Sequence, residues 1–144
     1  MYAVALLAAL RVSEITYRGN QSGQNIISIS QIAFMKTREG TVTALKLTLR
    51  NYKHSDSSGL VDIFIYRERP VCQVYLLSEY INIRGHFPGP LLCWPDASPI
   101  SRSFFVTALK EELQVCDLDI SHYKTHGFRI GAASWAATKG LSDT

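Results

Sequence analysis

Between residues 43 and 52 the side chains alternate: Leu45, Leu47 and Leu49 fall on one side, Lys46, Thr48 and Arg50 on the other. A period of two marks a β-strand with one face buried. Such a strand needs neighbours to hydrogen-bond and a layer to cover its leucines. Residues 28–35, with Ile29, Ile32 and Phe34, and the alternating Val61, Ile63 and Ile65 supply the neighbours. A turn at 37–40 and the polar run HSDSSG at 54–59 separate the three. The pattern predicts a three-stranded antiparallel meander with several of its basic residues on one side.

Helical patterns supply the covering layer. Residues 2–12 are apolar almost all round and rich in Ala and Leu, which predicts a core helix with Arg11 and Glu14 near its end. After the meander, Pro70 suits a first helical position, and Val71, Val74, Leu77 and Ile81 follow at helical spacing up to Gly85. Four prolines and Gly89 make 86–99 a loop, with a short extended piece at 91–94. Ser101 or Ser103 can cap the next helix, which runs to about Val115 with Phe104, Phe105, Ala108, Leu109 and Leu113 inward. A last, Ala-rich helix is expected from near Thr125 through Ala137, stopping at Gly140. The predicted class is α+β: a mostly helical domain with a small three-stranded antiparallel sheet.

At 144 residues the chain has room for one core and hardly for two. With 47% hydrophobic and 19% charged residues it is neither a disordered tail nor a fibrous repeat. No apolar run approaches the ~18 residues of a membrane span, so no membrane partner is expected. Cys72, Cys93 and Cys116 are an odd number at wide spacing, which argues against a disulfide framework or a zinc site and fits a reducing compartment. The net charge of +3 alone does not declare a nucleic-acid partner. Its distribution is uneven, with seven basic groups against four acidic ones in residues 36–70 and five of each in 101–144. A basic band of this kind meets phosphates in some proteins and is plain solvated surface in others.

Chemistry-bearing residues concentrate in THGFRIGAASW, residues 125–135. His126 and Arg129 are three apart at a predicted helix start and so share nearly one face. Two donors beside a helix N-terminus suit an anion, although a packed histidine and a surface arginine produce the same spacing. Arg11 closes a strongly apolar stretch, where a guanidinium usually has an anionic partner. That partner is either Glu14 or a phosphate clamped jointly with Arg129. Lys53, at the tip of the second hairpin, is either solvated or a mobile proton donor.

These pieces in this order resemble the catalytic domain of the tyrosine recombinases, the phage-integrase family. They are an Ala/Leu segment ending in LRVSEI (residues 10–15), a meander with a lysine in its second hairpin, and HGFRIGAA before a Gly-terminated helix. The last motif is similar to the versions carried by eukaryotic mobile elements. The resemblance implies metal-free, cofactor-free transesterification of double-stranded DNA, serving site-specific recombination and integration. In that chemistry a tyrosine attacks the scissile phosphate, leaving a 3′-phosphotyrosyl link and a free 5′-hydroxyl. It assigns Arg11 and Arg129 to the non-bridging oxygens and the transition-state charge. Lys53 becomes the general acid for the leaving 5′-oxygen, and His126 takes acid–base transfer or phosphate positioning. Glu14 orients Arg11, while Lys46, Arg50 and Lys53 contact DNA. It further implies a homo-oligomer as the working form of the complete protein, and the nucleus as its compartment.

Ile130 stands where many members carry a second histidine. The family continues with a His or Trp ligand and the nucleophilic tyrosine, whereas none of the seven tyrosines here follows Arg129. The expectation is therefore a partial, C-terminally truncated catalytic domain over residues 1–144, lacking the N-terminal clamp domain and inactive for cleavage as written. The alternatives are a non-catalytic DNA- or protein-binding module derived from such a domain, and an unrelated α+β domain whose basic band is solvated surface.

Overall fold

A computed structural model of the protein describes residues 10–19, 26–50, 59–67, 72–123, 127–138 and 140, without the side chains of 128, 129, 132, 133, 135 and 136. Its helices are α1 (Val12–Ile15), α2 (Gln73–Arg84), α3 (Arg102–Val115) and α4 (Gly127–Thr138). Its strands are β1 (Ile32–Lys36), β2 (Val42–Arg50) and β3 (Leu60–Tyr66). The architecture is α+β, with one antiparallel sheet in the order β1-β2-β3.

The alternation of β2 sets the sheet. Leu45, Leu47 and Leu49 are buried, and Leu47 stands in register between Ile32 of β1 and Ile63 of β3. β2 pairs with β3 without interruption from Ala44↔Tyr66 to Arg50↔Leu60, whereas the β1–β2 register shifts between Met35 and Lys36. The turn joining β1 to β2 closes where the Gly40 N–H donates to the Thr37 carbonyl at 3.0 Å. Gly40 sits there at φ +86°, a conformation that costs a glycine least.

β1 begins at Ile32, later than the expected 28. The Ser28 N–H donates to Gln31 Oε1 at 2.9 Å, and the Ser28 hydroxyl donates to the Gly89 carbonyl at 3.0 Å. Residues Ile29–Gln31 consequently form a capped 3₁₀ turn. Side-chain bonds to local backbone compete with a sheet ladder, and here they delay it.

α2 covers the inner face of β2 and β3, burying Val74, Leu77 and Ile81 against the sheet leucines. It starts at Gln73 with Cys72 as its cap residue, not at Pro70, which lies outside the described residues along with Val71. It ends at Gly85, φ +84°, as expected. The 86–99 loop buries Leu91 and Leu92 and closes a small bridge between Cys93 and Pro99. Ser101 caps α3, its hydroxyl accepting from the Phe104 N–H at 3.2 Å. Phe105 is fully buried, but Phe104, expected inward beside it, is 41% exposed and packs edge-on against Trp94 with ring centroids 4.7 Å apart. Consecutive helical residues point about 100° apart, and in α3 the core direction falls on Phe105.

The N-terminal expectation also changes. Residues 1–9 lie outside the described residues, and Arg11 does not end a helix: it is extended (φ −77°, ψ +143°) and precedes the separate turn α1. The cause is Glu14, whose carboxylate reaches back to the Arg11 N–H, starting a new turn that requires an extended residue in front of it. α4 is described from Gly127, two residues after the expected start.

Candidate functional site

Arg11 is the catalytic candidate whose side chain lies among the described residues, and its local setting is rigid. Leu10, Val12 and Ile15 around it are buried, while Arg11 itself is exposed. Glu14 Oε2 accepts from the Arg11 backbone N–H at 2.7 Å, and the Glu14 N–H donates to the Arg11 carbonyl at 2.8 Å. The next residues fasten the turn further. Thr16 donates to the Val12 carbonyl from both its N–H and its hydroxyl, and the Ile27 N–H donates to the Glu14 carbonyl at 2.8 Å. Among the described residues no ion pair joins the Arg11 guanidinium to Glu14. The carboxylate holds the backbone and leaves the planar guanidinium fork facing solvent, a geometry suited to a bidentate oxyanion.

The Arg11 turn is bonded to the start of α3. The Tyr17 N–H donates to the Ile100 carbonyl at 2.8 Å, and the Arg102 N–H donates to the Tyr17 carbonyl at 2.9 Å, forming a parallel bridge. Beside it opens a groove of ≈ 670 Å³ whose walls include Arg18, Arg102, Ser103 and Thr107. The sequence motifs do not point to this groove, because Arg18 and Arg102 meet only through a bridge between segments more than 80 residues apart.

The other candidates divide. Lys53 and His126 lie outside the described residues. Arg129 lies within α4, in its first turn, with its side chain outside the description. Lys46 and Arg50 both lie on the outward face of β2, as the alternation requires. They differ electrostatically. The Lys46 ammonium is 3.2 Å from Asp62 Oδ2 on β3, so much of its charge is locally balanced. Asp62 also accepts from the Thr48 hydroxyl at 2.6 Å. That bond first, and Lys46 second, hold its carboxyl below the usual 3.8. Arg50, exposed at the end of β2, stands in register with Leu60.

Among the described residues no group of three or more His, Cys, Asp or Glu side chains could hold a metal ion, and no helix is long and apolar enough to cross a membrane. Of the tyrosines, Tyr80 is partly buried, its hydroxyl accepting from the Cys93 N–H at 3.1 Å; burial raises its pKa above the usual 10.0 and so disfavours the phenolate. Tyr123 is exposed after the 3₁₀ turn Ile120–His122, and Tyr52 lies outside the described residues. No protein-family model matches the chain, and no curated protein matches it significantly.

Proposed function

We propose that this chain is part of a tyrosine-recombinase catalytic domain and that it binds double-stranded DNA by clamping a backbone phosphate. The observation that carries this reading is the placement of Arg11: an exposed guanidinium on a turn anchored by three buried apolar residues and by Glu14. Such anchoring fixes the backbone from which the fork projects, which lowers part of the ordering cost of binding. The order of the remaining motifs supports the same reading, with the meander next and then Arg129 in the first turn of α4. In this proposal Arg11 and Arg129 hold the non-bridging oxygens, Lys53 and His126 serve proton transfer, and Arg50 and Lys46 contact the neighbouring backbone.

The test is fluorescence anisotropy with a labelled duplex across a salt series. The unaltered chain should bind with affinity falling steeply as salt rises. Arg11→Ala and Arg129→Ala should each weaken binding at every sequence tried and lower the salt slope by about 1. Both variants should melt like the parent chain. Unchanged affinity and slope in both would overturn the reading.

A further inference from the structure

The strongest remaining feature is the outward face of the sheet. Phe64 and Tyr66, two residues apart on β3, are 45% and 64% exposed on the side away from the leucine core. We propose that this face binds single-stranded nucleic acid, with unpaired bases stacked on Phe64 and Tyr66 and the backbone held by Arg50 and Lys46.

Four observations converge on that occupant. Alternate residues of a strand lie about 7 Å apart, which gives each ring room for one base. Among the described residues β3 is an edge of the sheet. Across the ladder, Tyr66 stands beside the buried Ala44, and Phe64 stands beside Lys46. The charge is complementary to phosphates: Lys46 and Arg50 share the face with one carboxylate, Asp62, which pairs with Lys46 and leaves Arg50 to supply the excess positive charge. Aromatic rings with adjacent cations are the means by which single strands are held without sequence preference. A duplex keeps its base faces stacked inside and can use only the cations.

Lys46 and Arg50 serve both readings, but Phe64 and Tyr66 have no part in the duplex-binding reading, so the stacking proposal goes beyond it and can fail separately from it. The experiment is anisotropy of the full chain with a fluorescent oligothymidylate and, in parallel, a duplex of equal length. Phe64→Ala and Tyr66→Ala should each weaken oligothymidylate binding at least about fivefold while leaving duplex affinity unchanged. Phe64→Tyr, which keeps a ring, should bind as the parent does. Both rings are exposed, so thermal melts should superimpose. Should Phe64→Ala fail to fold, Phe64→Leu keeps the apolar bulk without the ring and should show the same loss. The proposal is overturned if the parent chain binds the duplex alone or if the ring-less variants bind oligothymidylate normally. It is equally overturned if their effect is a change in oligomeric state instead of in affinity.

Discussion

The Arg84 guanidinium sets two nitrogens on one carbonyl oxygen, that of Pro90, with Nε at 3.2 Å and Nη2 at 2.7 Å. Its Nη1 donates to the carbonyls of Gly85 and Phe87 at 2.8 and 2.9 Å, and the guanidinium carbon lies 4.4 Å from the centre of the Phe87 ring. Arg84 is only 9% exposed, and its charge faces backbone oxygens at the C-terminal end of α2, where the helix dipole is negative. One side chain thereby satisfies the carbonyls of a loop rich in proline and glycine, whose backbone has few regular partners of its own. Arg84→Met should cost about 2–4 kcal/mol, because it leaves three carbonyls short of donors. Arg84→Lys should recover only part, since a single ammonium cannot reproduce the fork. The midpoint of urea unfolding measures both.

Tyr80, one helical turn before Arg84, fastens the far end of the same loop through the backbone of Cys93. Tyr80→Phe should destabilise the fold by about 1–2 kcal/mol, because the Cys93 N–H loses its acceptor. The pH dependence has a definite sign. The folded pKa is raised, chiefly by burial, so the stabilisation is fully present below the usual 10.0 and is lost as pH rises through the folded value. Ultraviolet titration of the native chain should therefore show a late-ionising phenol that disappears in Tyr80→Phe.

The neighbouring phenylalanines of α3 should separate cleanly. Phe105 packs in the core with Leu10, Val74 and Leu77, and Phe105→Ala should cost about 3–5 kcal/mol through lost burial and the cavity left behind. Phe104→Ala gives up mainly the edge-on contact with Trp94 and should cost about 1 kcal/mol. Paired urea curves for the two variants test the difference. Similar losses would mean that Phe104 carries core packing its exposure does not show.

That pair also shows where the sequence stops being legible. The period-two leucines of β2 identify a buried face because each inward residue is one step from an outward one, and Leu45, Leu47 and Leu49 are buried accordingly. Adjacent apolar residues in a helix carry no such sign, and Phe104 was expected inward with Phe105. The Arg11 turn failed to show for a different reason. A run of Ala and Leu reads as continuous helix, and nothing local announces that Glu14 will fold back on the Arg11 N–H. Arg18 and Arg102 come together through the Tyr17–Ser101 bridge, a long-range pairing that no spacing rule encodes. Of the proposed phosphate site, the sequence supplies residue types and their order but not the distances between them.

Asp62 gives the sharpest electrostatic prediction. Its carboxyl is held below 3.8, first by the Thr48 hydroxyl and then by Lys46, so Thr48→Val and Lys46→Met should each raise its pKa. Carbon-detected NMR titration of the carboxyl reads both shifts. Because the folded pKa is depressed, the stabilising effect is present above 3.8 and fades as pH falls through the folded value. The same carboxylate balances the Lys46 ammonium on the proposed nucleic-acid face. Asp62→Asn keeps the shape and removes the balance, so it should tighten oligothymidylate binding and steepen its salt dependence by about one phosphate contact. Weaker binding in Asp62→Asn would show instead that the Lys46–Asp62 pair positions the lysine, and that orientation matters more on this face than charge.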